Sequence, residues 1–349
     1  MSMKYKIGID ISGGDFAPDK IIKGAILAKK EVEEEIVLIG VKKEIEDQLI
    51  LNKKRTEDFT IIDAPEKIEM SDAPITPLRR KKKSSIAVGI KLLKDRKIDA
   101  FVSCGNTGAV VAASTLSLGM IEGVERPGIG LALPTRKGVS LLIDVGANID
   151  CKPLHLFQYG IMAAAYSELV LNKNNPSVGL LNIGEEASKG LGILKGIHKL
   201  FTISNLNFIG NLEARAIFTG NCDCIVCDGF VGNITLKVVE GSAEAIGRSL
   251  VENMKKGFFG KLSLLLAKKN LLAFKKSMDY AEYGGAPLLG VNGIVIIGHG
   301  RSNSWAVKNA IKAAAKEISR DLTSEIKRRV NEICQDSGVR QILAGENPD

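Results

Sequence analysis

Seven times along this chain a short apolar run stops abruptly in a loop rich in Gly, Asn, Asp and Ser. These loops open at Asp10 (DISGGD), Ser103 (SCGNTG), Asp144 (DVGAN), Asn182 (NIGEE), Gly210 (GNLE), Asp228 (DGFVGN) and Gly298 (GHGRSN). Most are followed by a segment with helical periodicity. Strand, polar loop and helix in alternation predict a parallel sheet flanked by helices, with the loops collected at the carboxyl ends of the strands where α/β proteins bind ligands. Loops of this composition offer backbone N–H groups and helix N-termini, which suit an anionic substrate.

The pattern predicts strands at Lys4–Asp10, Ile36–Gly40, Phe59–Asp63, Ala100–Cys104, Val139–Asp144, Ser177–Asn182, Leu206–Ile209, Cys222–Cys227 and Gly293–Gly298. Helices are expected at about Asp19–Glu34, Lys42–Asn52, Ser84–Arg96, Pro153–Leu171 and Ser302–Gln335, with a long helical region from Gly232 to about Asp279. Residues 64–83 carry several prolines and the basic run Arg79–Lys83, and read as a long loop. No internal repeat or linker divides the chain, so residues 1–349 are expected to form one α/β unit, with room for two interwoven lobes. The tail after Gly338 is expected to be loosely held.

Composition narrows this little. Of 349 residues, 45% are hydrophobic and 25% charged, as in ordinary globular proteins, and the net charge of +8 is modest. The opening MSMKYKIGIDISGGD lacks the apolar stretch of a secretory signal, and no run of 18 apolar residues exists. A cytoplasmic setting with reduced thiols is therefore expected. Cys222, Cys224 and Cys227 invite a zinc reading, but a second ligand pair is missing and the triplet lies in a strand-like run, so buried small side chains are expected instead.

The familiar catalytic signatures are absent. GLGILKG at Gly190–Gly196 has the wrong spacing for a dinucleotide fingerprint and falls in a helical stretch, and there is no P-loop or G-x-S-x-G elbow. His155, His198 and His299 are scattered. Anion-suited loops without a protein nucleophile fit a reaction whose nucleophile is itself a substrate, such as inorganic phosphate; the protein then positions anions and stabilises a developing oxyanion.

Eight motifs in order carry a resemblance across about Lys6–Ala314: GGDFAP (Gly13–Pro18), LRRKKKSSI (Leu78–Ile86), SCGNTGA (Ser103–Ala109), LLIDVGANIDCKP (Leu141–Pro153), GLLNIGEEASKG (Gly179–Gly190), NFIGNLEAR (Asn207–Arg215), CDGFVGNITLK (Cys227–Lys237) and EYGGAPLLGVNGIVIIGHGRSN (Glu282–Asn303). The chain resembles the PlsX family of phosphate acyltransferases. It departs in small ways: the family's Asp-Ala-Met-Gly-Gly-Asp opening reads Asp-Ile-Ser-Gly-Gly-Asp, and an acidic residue common after the lysine pair is Lys83.

The resemblance implies a three-layer α/β sandwich similar to isocitrate/isopropylmalate dehydrogenases and phosphotransacetylases, with a protruding helical hairpin, usually as a homodimer. It implies attack of phosphate on the thioester of acyl carrier protein, giving acyl phosphate for bacterial phospholipid synthesis, without metal, organic cofactor or nucleic acid. A dehydrogenase or kinase-like enzyme on the same fold, or a non-catalytic membrane scaffold, are the alternatives from other classes; the first lacks its motifs, and the chemistry-rich loops disfavour the second.

For the site, the family motif points to Lys189 and Asn233 as catalytic, a lysine to counter phosphate charge and an amide to hold an oxyanion. Asn106, Thr107, Asn148, Asp144, Asp228 and Gly232 are expected to bind substrate, although Asp144 and Asp228 suit loop-stabilising turns equally well. Arg79, Arg80, Lys81 and Lys82 would steer the acidic carrier protein. The segment Lys255–Lys276 holds seven lysines and no acid, and Phe258, Phe259, Leu262, Leu265 and Leu266 share one helical face. Residues 240–282 are accordingly expected to protrude for dimer contact and for peripheral attachment to the inner, anionic face of the cell membrane.

Overall fold

The computed structural model describes residues 4–255, 266, 267, 269 and 283–343. Strands β1 (Lys6–Asp10), β2 (Glu35–Gly40), β3 (Thr60–Asp63), β4 (Ala100–Ser103), β5 (Gly128–Thr135), β6 (Gly138–Ile143), β7 (Val178–Leu181), β8 (Phe208–Leu212), β9 (Cys224–Val226), β10 (Ala286–Leu289) and β11 (Ile294–Ile297) form one sheet. Its order is β3-β2-β1-β4-β11-β10-β5-β6-β9-β7-β8.

The sheet contains two parallel blocks that point in opposite directions. β3-β2-β1-β4-β11 run together, and β6-β9-β7-β8 run together. Between them β10 is antiparallel to both β11 and β5, and β5 is antiparallel to β6, so the direction reverses across the centre. The polar loops therefore gather at two opposite edges of the sheet and not at one. Those after β1, β4 and β11 lie at the first edge; those after β6, β7 and β9 lie at the second. The loop expected at Gly210 is not one: Gly210 sits inside β8 with φ +97°, beside a register shift in the β7–β8 pairing.

Period-two alternation sends neighbouring residues to opposite faces. Ala100 and Val102 of β4 face one layer and Phe101 the other; Leu141 and Ile143 of β6 oppose Leu142. On one face α1 (Asp19–Ala28) and α9 (Ser304–Ser319) cover the first block, while α6 (Pro153–Leu169), α7 (Gly192–Ile203) and α10 (Leu322–Cys334) cover the second. On the other face α4 (Ser85–Lys94), α5 (Thr107–Ser117) and α8 (Gly229–Met254) border a continuous cluster containing Phe101, Val110, Leu131, Leu142 and Ile225. α2 (Lys42–Leu51), α3 (Thr76–Arg80) and α11 (Ser337–Leu343) complete the described helices. The three-layer α/β arrangement is as expected.

Several boundaries differ. β5 and β10 were not anticipated, because Gly, Pro and small residues interrupt their apolar runs; both are central and almost fully buried, where packing outweighs propensity. α1 stops at Ala28, since residues 29–34 turn the chain back into β2. The expected C-terminal helix breaks at Asp321, whose φ is +45°. The loop 64–83 contains α3, with Pro77 near its start. Of the expected protrusion at 240–282, the residues through 254 continue α8; Phe258, Phe259, Leu262 and Leu265 lie outside the described residues, and Leu266 is exposed.

Candidate active site

The second edge holds Asp144, Asn148, Asp228, Gly232, Asn233 and the loop bearing Lys189. Asp144 directly follows β6 and is fully buried. Its Oδ1 accepts from the backbone N–H groups of Ile129 (3.0 Å), Gly146 (3.0 Å) and Ala147 (2.9 Å), and its Oδ2 from those of Ala147 (3.1 Å) and Asn148 (2.8 Å). Burial pushes its pKa up and the amide donors oppose that shift. The carboxylate thus folds the loop over itself, with both oxygens occupied by backbone amides. Asn148 is likewise occupied: its Nδ2 donates to Pro127 O and Tyr159 Oη, and its carbonyl accepts from Gly229 N at 2.8 Å.

That last bond docks the start of α8 on the loop. Asp228 caps the helix, its Oδ1 accepting from Val231 N at 2.8 Å. Gly229 and Gly232, three residues apart on one helix face, lie against the loop backbone. A Cβ on Gly232 would sit 1.8 Å from Asp144 O, and one on Gly229 2.6 Å from Asn148 O. Only glycine permits this approach. One residue further, Asn233 is exposed, and its Cβ and amide lie 3.7–3.8 Å from where a Cβ on Gly146 would be.

Lys189 stands in the loop between β7 and α7. Its N–H donates to Glu186 O and its carbonyl accepts from Asn182 Nδ2, while the side chain is exposed. The Lys189 ammonium and the Asn233 amide have no hydrogen-bond or ion-pair partner among the described residues. Gly229 N and Val231 N of the first helical turn are already taken, which leaves fewer helix N–H groups for a substrate oxygen than the sequence suggests and gives weight to the two exposed side chains.

Asn106 and Thr107 fall at the first edge, away from this group. Asn106 caps α5 through Ala109 N (2.9 Å) and donates from Nδ2 to the carbonyls of Glu69 (3.2 Å), Met70 (3.1 Å) and Asp72 (2.9 Å). Its polar atoms fasten the 64–83 segment to the sheet; Thr107 opens α5 and is exposed. The basic run is carried on that fastened segment. Lys81 pairs with Asp72 at 2.8 Å, which holds the Asp72 carboxyl below its usual range, while Arg79, Arg80 and Lys82 are exposed. Nearby, buried Asp10 accepts from Ser103 Oγ (2.7 Å) and Ser12 N (3.1 Å) and binds the β1 and β4 loops together.

α8 connects the two edges. It starts beside Asp144, and Glu240 Oε1 reaches His299 Nε2 of the β11 loop at 3.8 Å. The eleven residue steps of helix from Gly229 to Glu240 span about 16 Å.

The cysteine triplet belongs to the core, and Cys227 alone of the three bonds to the second edge, at Asp144 O. Cys222 and Cys227 face one layer and Cys224 the other, each thiol donating to a local oxygen. Cys151 lies under the Asp144 loop, its thiol donating to Asn148 O and its pKa pushed up to about 11 by burial. Two participants escaped the sequence reading. Tyr159 was hidden in a helix buried on nearly every side, and Gly229 was legible in retrospect from the three-residue glycine spacing.

A family model described as fatty acid synthesis protein matches residues 5–325. The chain is 44% identical over 331 residues to the phosphate acyltransferase of Pelotomaculum thermopropionicum, covering 94% of this chain and 96% of that one. It is 46% identical over 329 residues to the phosphate acyltransferase of Halothermothrix orenii, covering 93% and 98%. A phosphotransacetylase from Streptococcus pyogenes shares the fold, with a TM-score of 0.63, 17% identity, and coverage of 91% of this chain and 95% of that one. A family match across most of the chain, with relatives this similar over nearly all of it, means that the chain belongs to the fatty acid synthesis protein family, the PlsX family of phosphate acyltransferases.

Proposed function

We propose that the chain transfers a fatty acyl group from the thioester of acyl carrier protein to inorganic phosphate, yielding acyl phosphate and free carrier. The observation that carries this reading is the pair of donors unpartnered among the described residues, Lys189 and Asn233, at an edge where the Asp144, Asn148 and Asp228 side chains are committed to holding the loop and the helix start. A phosphate oxygen attacks the thioester carbon, the carbonyl oxygen becomes an oxyanion beside the Asn233 amide, and Lys189 offsets the charge of phosphate. The C–S bond then breaks, and the departing thiolate takes a proton from solvent. Phosphate is partly dianionic at neutral pH, so no protein base is required. A covalent route through Cys151 is disfavoured, because that thiol is buried and remains protonated.

The exposed cations Arg79, Arg80 and Lys82 at the first edge suit the acidic carrier protein, whose pantetheine arm would then reach toward Asn233 along α8. Exposed Phe230, Ile234, Val238, Ile246 and Leu250 on α8 support a homodimer, since monomers seldom leave so many apolar side chains on one helix in water. The lysine-rich segment beyond α8 would attach the enzyme peripherally to the inner face of the membrane, where the acyl phosphate is used. No described helix is long and apolar enough to cross a membrane.

The test is incubation with acyl-acyl carrier protein and phosphate, trapping acyl phosphate with hydroxylamine. Thioester loss should require phosphate, persist after chelation of divalent metal and need no nucleotide. If no acyl carrier substrate ever yields acyl phosphate, the proposal is wrong.

A further inference from the structure

Tyr159 of α6 takes no part in the chemistry above, yet a closed ring of hydrogen bonds passes through its hydroxyl. The side chain is completely buried. Its Oη accepts from Asn148 Nδ2 at 2.8 Å and donates to Pro127 O at 3.1 Å. Asn148 Nδ2 donates to Pro127 O as well, which engages both amide hydrogens and leaves the Asn148 residue a single orientation. The ring closes through Asp144, which accepts from Ile129 N, two residues past Pro127, and from Asn148 N.

The Asn148 carbonyl leaves this ring toward the site and receives Gly229 N, the first helical residue of α8. Asn233 follows one turn later on the same helix, against Gly146 of the same loop. We infer that Tyr159 is a positioning residue for acyl transfer: through Asn148 and Gly229 it holds the first turns of α8, and with them the Asn233 amide, at the reacting thioester. This rests on the proposed role of Asn233. The contacts explain why a hydroxyl is needed here and not simply a ring. Phenylalanine would fill the same space, but Asn148 would lose an acceptor and Pro127 O a donor, loosening the side-chain bonds that tie β5 to Asn148 and, through its carbonyl, to α8.

The test uses the full-length enzyme and Tyr159→Phe. A small displacement of a transition-state donor lowers turnover and leaves ground-state binding in place, so kcat should fall ~10-fold or more. The KM for phosphate should stay within about twofold of wild type. In an Asn233→Ala background the same substitution should lower kcat no further, because the group it positions is gone. Asn148→Asp, which replaces the amide donor with an acceptor in nearly the same volume, should reproduce both results and serves if Tyr159→Phe folds poorly. Wild-type kcat in both variants overturns the inference. So does an equal, additive loss on top of Asn233→Ala, which would mark the ring as general scaffolding. Full kcat in Asn233→Ala alone overturns the donor assignment on which the inference stands, whatever Tyr159 does.

Discussion

Gly232→Ala offers the sharpest test of how α8 is seated. The new methyl would lie 1.8 Å from Asp144 O, 2.8 Å from Asp144 C and 3.0 Å from Cys227 Sγ. Two of these are backbone atoms of a loop pinned by five amide bonds, so no side chain can swing aside. Reaching ordinary contact of ~3.5 Å requires helix and loop to part by roughly 1.7 Å. Overpacking of this kind costs about 1–3 kcal/mol, against which alanine's better helix propensity returns at most ~1 kcal/mol. The catalytic effect should be larger, because Asn233 is the next residue and a ~1 Å misplacement can cost ~10²-fold in rate. Gly247, in the same helix, has nothing within 4 Å of its Cβ position. Gly247→Ala should therefore leave kcat unchanged and raise stability by up to ~1 kcal/mol. Thermal midpoints and hydroxylamine-trapped acyl phosphate measured on both variants decide the matter. A Gly232→Ala enzyme with wild-type midpoint and turnover refutes the packing argument, as does equal damage from Gly247→Ala.

Lys189→Ala and Asn233→Ala should each lower kcat ~10²-fold or more with the fold intact, Lys189→Ala by more; an effect confined to the KM for phosphate would make them ground-state binders. Charge reversal at Arg80 and Lys82 should raise KM for acyl-acyl carrier protein and flatten its salt dependence, and an equal loss with acyl-pantetheine would point to phosphate binding instead. Glu317 is buried, its Oε1 has no hydrogen-bond partner among the described residues, and burial raises its pKa well above the usual carboxyl range. A raised folded-state pKa favours the fold most below the unfolded value of 4.5 and loses stability as pH climbs toward the folded value, by up to about 1.4 kcal/mol per pH unit. Glu317→Gln should thus gain thermal midpoint over wild type progressively from pH 5 to pH 8, and parallel pH profiles would contradict this. Leu265→Glu with Leu266→Glu should abolish co-sedimentation with anionic vesicles while soluble activity and the dimer persist; retained vesicle binding, or dissociation to monomers, would refute membrane attachment through this segment.

Alternation of apolar runs and polar loops determined the α/β class and most strands, because periods of 2 and 3.6 are local properties of the chain. The motifs likewise marked Lys189, Asn233 and the DGFVGN helix start without help from the fold. What the loop residues do with their hydrogen bonds was decided only in three dimensions. Asp144 and Asn106 read as substrate ligands, yet one is enclosed by amides that include Ile129 N, 15 residues away, and the other donates to Asp72 O, 34 residues away. A polar side chain with a buried backbone partner in reach bonds to it, and sequence neighbours do not reveal that partner. Strand direction is equally non-local. The antiparallel pairs made by β10 and β5 reverse the sheet and send seven similar-looking motifs to different places, whereas each motif read alone carries no sign of which edge it will join. Tyr159 shows the same limit from inside the core: its ring belongs to a helical apolar pattern, and only the packed structure sets its hydroxyl against Asn148 and Pro127.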